Sequence, residues 1–117
     1  MERGRKMTEN SYKTPCGCIH YFVNIIDKQR ITLVFLPGLT ADHRLFEKQT
    51  EYFENKQNVF VWDAPSHALS RPFANSYRLS DMAEWLYKIL VKEEIYNPII
   101  IGQSMGGYLA QMYMELH

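Results

Sequence analysis

An apolar run, Pro98-Ile99-Ile100-Ile101, enters Gly102-Gln103-Ser104-Met105-Gly106-Gly107 and leaves as a helical pattern with Tyr108, Leu109, Met112, Tyr113 and Leu116 on one face. Few folds accept such a segment. A serine on a sharp strand-to-helix turn has a strained backbone, and the strand and helix approach so closely that only glycine fits two residues to either side. The turn holds the serine hydroxyl out at the end of a strand. It also aims the backbone N–H of Met105, at a helix N-terminus, toward any negative oxygen forming beside that hydroxyl. Glycine and serine at ordinary frequencies would produce the three fixed positions by accident in about 4% of chains this long, before a strand and a helix are required.

The rest of the chain repeats the same grammar. Ser11 to Thr14 and Cys18 to Ile26 read as a hairpin around Pro15-Cys16-Gly17. Ile31 to Leu36 is a short continuous apolar run of the kind buried on both faces, and it stops at Pro37-Gly38. Thr40 or Asp42 can cap a helix whose apolar positions Leu45, Phe46, Tyr52 and Phe53 keep a 3.6 period, with Gln49 as the polar exception. Asn58 to Trp62 is the next strand, and Ser80-Asp81 opens a helix with Met82, Trp85, Leu86, Ile89 and Leu90 on its apolar face. Pro98 to Gln103 and the helix from Met105 complete the series. Two strands followed by repeated strand-loop-helix units predict a mostly parallel sheet with helices on both faces. Residues 1–10 are charged and polar and read as a flexible extension, with 11–117 belonging to one domain.

The order of these segments resembles the α/β-hydrolase superfamily, in its serine-nucleophile, esterase- and lipase-like branch. Three pieces carry the likeness. Ile31-Thr-Leu-Val-Phe-Leu-Pro37-Gly38-Leu39-Thr40 is similar to the third strand and oxyanion loop, with Pro37-Gly38 where His-Gly is common. Asp63-Ala-Pro65-Ser66-His67-Ala68-Leu-Ser70 resembles the segment after the fourth strand, with Ser66 and Ala68 in place of two glycines. Gly102-Gln-Ser104-Met-Gly106-Gly107 resembles the nucleophile elbow throughout. The resemblance implies Ser104 as nucleophile, the backbone N–H groups of Leu39 and Met105 as oxyanion hole, and a substrate side lined by Gly38, His67 and Gln103. It implies a carboxylic ester or related acyl substrate and an acyl-enzyme. Some relatives with these segments cleave carbon–carbon bonds or eliminate a carboxylate, and nothing in the chain separates the three chemistries.

A serine needs a base, itself oriented by an acid, and in this family both follow the serine in the chain. Only 13 residues follow Ser104, and Glu115 and His117 are the sole acid and histidine among them. His117 would lie about 20 Å along the same helix. The expectation is therefore an incomplete α/β-hydrolase fold, its first five strands and three helices, from a truncated chain lacking the catalytic acid and histidine. The fifth strand would be an open edge, suited to a complementary C-terminal half or to self-association. A non-catalytic fragment that pairs through this edge is the reading from another class. His67 reads first as a histidine that orders its loop through backbone, with substitute base or pocket lining as the minor role, and His43 is treated alike.

Composition removes other classes. Basic and acidic residues both number 13, so no field for nucleic acid is implied. The polar, charged start does not resemble a secretory leader, and no apolar run has membrane-spanning length. Cys16 and Cys18 are too close for a long-range disulfide and fit a reducing, cytoplasmic setting. Cys16, Cys18 and His20 alternate and could face one metal, yet no fourth ligand is evident. No metal and no cofactor are expected.

Overall fold

The structure, a computed structural model, describes residues 7–117. Five strands and three helices follow in chain order: β1 (Thr8–Thr14), β2 (Gly17–Asn24), β3 (Thr32–Leu36), α1 (Glu47–Phe53), β4 (Asn58–Trp62), α2 (Leu79–Lys92), β5 (Pro98–Gly102) and α3 (Met105–Leu116). The hairpin begins three residues before Ser11, because Thr8, Glu9 and Asn10 pair with Val23, Phe22 and Tyr21. Residues 8–10 thus belong to the sheet rather than to an extension, while 1–6 lie outside the described residues. Thr14 closes the hairpin by accepting from the N–H groups of Cys16 and Gly17 through Oγ1 and donating to the Gly17 carbonyl.

The sheet order is β1-β2-β4-β3-β5. β1 and β2, and β2 and β4, run antiparallel, whereas β3 pairs in parallel with both β4 and β5. The sheet is mixed, with its parallel part confined to the three strands that alternate with helices. A parallel partner can be reached only by a crossover, and α1 and α2 provide the two. α2 turns Met82, Ala83, Leu86, Ile89 and Leu90 inward against Tyr21, Val34, Phe60 and Trp62, together with Leu109 and Tyr113 of α3. Each large side chain so buried contributes about 1.5–3 kcal/mol. α1 covers the other face, where Phe46 and Phe53 meet Phe35, Val59 and Val61. Helices lie on both faces, as the alternation requires.

Two helix starts differ from the sequence reading. Asp42 caps a 3-10 turn, His43–Phe46, by accepting from Arg44 N–H, and the α-helical part begins only at Glu47. α2 begins at Leu79, and Asp81 serves from inside the first turn, its Oδ2 accepting the Arg78 N–H at 2.8 Å. β5 is the sheet edge, with Ile99 46% and Ile101 36% exposed. Among the described residues no helix is long and apolar enough to cross a membrane.

Candidate active site

β3 and β5 are neighbours, but the chain leaving β3 goes to α1 on one face and the chain leaving β5 goes to α3 on the other. This reversal opens a crevice at the carboxyl ends of the two strands, the place where open α/β sheets bind ligands. Gly38, Leu39, Gln103, Ser104 and Met105 all stand at it.

Ser104 is the N-cap of α3 at φ 59° and ψ −119°, a conformation that side chains rarely adopt, and it is exposed. Such strain persists only where the surroundings over-determine it, and three close approaches do so. A Cβ at Gly102 would overlap the Gly106 carbonyl, and one at Gly106 would overlap the Leu36 carbonyl oxygen. At Gly38 a Cβ would come within 2.6 Å of the Gln103 carbonyl and 2.9 Å of Ser104 Cβ. The β3 loop and the turn after β5 are therefore in direct contact. They are also bonded: Gln103 N–H donates to Leu36 O at 3.1 Å, and Gly38 N–H donates to Gln103 Oε1 at 3.2 Å. The Gln103 side chain is thus engaged with protein backbone. Leu39 and Met105 each carry a backbone N–H without an acceptor among the described residues, Met105 because it opens a helix.

The loops are held from below by Asp63, which the sequence marked only as the first residue of the segment after the fourth strand. Fully buried, it accepts His43 N–H at 2.8 Å, contacts His43 Nδ1 at 2.8 Å, and accepts Leu69 N–H at 3.2 Å. A buried carboxylate requires such donors, and here they come from the chain after β3 and the chain after β4. Ser70 Oγ extends the tie, donating to Asp63 O and accepting from His20 N–H. His67 stands within the loop with Nδ1 3.1 Å from Pro65 O, the loop-ordering contact expected of it. His43 is committed to Asp63, and its ring packs at a tilt against Phe22, with centroids 4.2 Å apart.

His117 is bonded to Glu84 and stacked on Tyr87 at 3.9 Å, which fixes it to α2. Asp42, His43 and Asp63 bring possible ligand atoms within 4.8 Å of one another, but their lone pairs already serve Arg44, His43 and Leu69 N–H groups. Arg44 holds the Asp42 carboxyl down to about 2, chiefly by hydrogen bonding. The expected alternation of Cys16, Cys18 and His20 fails at Cys16, which lies in the hairpin turn outside β2, and the three are not among the grouped ligand atoms.

Residues 31–117 match the model of a family described as alpha/beta hydrolase fold. The Magnesium-chelatase 30 kDa subunit of Rhodobacter capsulatus is 35% identical over 79 residues, covering 67% of this chain and 28% of that protein. 3-Oxoadipate enol-lactonase 2 of Acinetobacter baylyi is 26% identical over 88 residues, covering 75% of this chain and 33% of that one. Est816, described as an N-acyl homoserine lactone degrading enzyme, superposes with TM-score 0.84 at 21% identity, covering 92% of this chain and 40% of its own. The chain spans about a third of the length of these curated relatives, so the fold present is an incomplete one. With the elbow, the crevice and the family match together, the chain belongs to the α/β-hydrolase fold family.

Proposed function

We propose that Ser104 is the nucleophile of a serine hydrolase acting on a carboxylic ester, lactone or related acyl substrate. The observation that carries this is the strained Ser104 backbone at a crevice where the Leu39 and Met105 N–H groups have no acceptor among the described residues. The serine oxygen bonds to the acyl carbon, its proton passes to a base, and the carbonyl π electrons move onto oxygen, where the Leu39 and Met105 N–H groups receive the charge. Collapse expels the alcohol, which takes the proton from the base, and water then releases the acid. Similarity to a protein named an enol-lactonase supports an acyl substrate. His20 lies within β2 with Nδ1 3.5 Å from Glu9, and His43, His67 and His117 are each bound elsewhere, so the base and its orienting acid are assigned to a segment that continues the sheet beyond β5, in the same polypeptide or in a complementary one. Similarity to a protein named a chelatase subunit favours one second reading, a non-catalytic module that assembles through the same edge.

The test is intact mass after incubation with a fluorophosphonate probe, beside Ser104→Ala. One adduct, absent from the alanine variant, is expected once the base is in place. An adduct that persists in Ser104→Ala removes Ser104 from the mechanism. No adduct on a folded 117-residue chain means that this chain does not supply its own base.

A further inference from the structure

Beside the crevice, the chain after β3 and the chain after β4 enclose a groove of about 450 Å³, with Thr40, Asp42 and Arg44 on one wall and Ser66, His67 and Arg71 on the other. Thr40 follows Gly38 by two residues, so the groove begins within about 7 Å of chain reach from the elbow contact. Its rim is strained: Thr40, Ser66 and Ala68 have φ of 62°, 74° and 44°. Three non-glycine residues in the left-handed region around one groove are the kind of strain that marks ligand sites.

Most polar groups there are already occupied. Thr40 Oγ1 donates to Leu39 O, Ser66 Oγ pairs with Tyr77 OH, and His67 Nδ1 is on Pro65 O. Arg44 spends Nε and Nη2 on Asp42. Arg71 is different, being exposed and without a partner among the described residues. Among the lining residues, Arg44 and Arg71 against Asp42 leave one positive charge. One uncompensated guanidinium fork matches one carboxylate, bidentate and planar, better than a phosphate dianion that would leave the groove negative.

We propose that this groove is a carboxylate subsite, with Arg71 its fork, for an acyl substrate that carries a second, distal carboxylate, such as the monoester of a short dicarboxylic acid. The assignment rests on the acyl-transfer reading of Ser104 but is tested by binding alone. A ¹⁵N–¹H NMR titration of the Ser104→Ala chain compares monomethyl succinate with the uncharged dimethyl succinate, so that no turnover intervenes. Monomethyl succinate is expected to shift the amides of Ser66, His67 and Ala68 saturably, and dimethyl succinate at least tenfold more weakly. Arg71→Gln, at an exposed residue, should preserve the remaining spectrum and weaken the monoester tenfold or more. Equal binding of the two esters, or undiminished binding by Arg71→Gln with its spectrum intact, overturns the subsite. Neither result depends on whether the fluorophosphonate labels Ser104.

Discussion

Gly106 and Gly107 are adjacent in the first turn of α3, yet alanine should have opposite effects at the two positions. In a helix, alanine is favoured over glycine by about 1 kcal/mol, and propensity alone would stabilise both variants. At Gly107 the added methyl meets only the Gly102 carbonyl oxygen, at 3.8 Å, an ordinary contact. Gly107→Ala should therefore gain about 0.5–1 kcal/mol. At Gly106, which is buried, the methyl would overlap the Leu36 carbonyl oxygen at the end of a strand bonded on both sides, where no flexible side chain can yield. Overpacking costs about 1–3 kcal/mol, and a backbone atom inside a sheet places this case at the upper end. After the propensity gain, Gly106→Ala should lose about 2 kcal/mol. Urea unfolding followed by circular dichroism at 222 nm measures both, with the midpoints compared at constant slope. A Gly106→Ala chain as stable as its parent, or a Gly107→Ala chain destabilised by about 1 kcal/mol, would refute the close approach of α3 to β3 on which the Ser104 geometry rests.

Three further outcomes follow from the same contacts. Asp63→Asn turns an amide toward donors that now face a carboxylate, and should cost about 1–3 kcal/mol in urea unfolding while shifting the Leu39 and Thr40 amide resonances; unchanged stability and resonances would mean that Asp63 does not hold the loops. Ala68→Gly relieves a left-handed alanine at φ 44° and should gain about 0.5–1 kcal/mol net of the entropy of glycine, read from thermal unfolding. The Asp42 carboxyl is lowered in the folded chain from 3.8 to about 2, so its pairing with Arg44 stabilises above about pH 4 and is lost as pH falls toward 2. Arg44→Gln should remove that part of the acid sensitivity, and an identical pH profile for the two chains would discount the pair.

Apolar runs were the legible part of the fold. Asn58–Trp62, buried on both faces, and the strand into the elbow, exposed at the sheet edge, both stand where a continuous apolar run bounded by turn residues puts them. Helix starts were less legible because caps compete: Asp42 and Asp81 each accept a backbone N–H, one from the cap and one from inside the turn. The hairpin start was hidden because Thr8, Glu9 and Asn10 carry no apolar signal and are held by backbone pairing.

Of the site, the sequence determined the serine, its glycines and the turn between strand and helix, because a strained backbone admits few residue types and those types are written locally. What only the tertiary structure decided is the company that serine keeps. Gly38 against Gln103, Asp63 under His43 and Arg71 across from Thr40 join residues from 20 to 65 positions apart, or from separate loops, and such pairs form only when the sheet order brings those loops to one edge. Local composition carries no record of that order. It is set by which apolar faces close over one another when the chain folds.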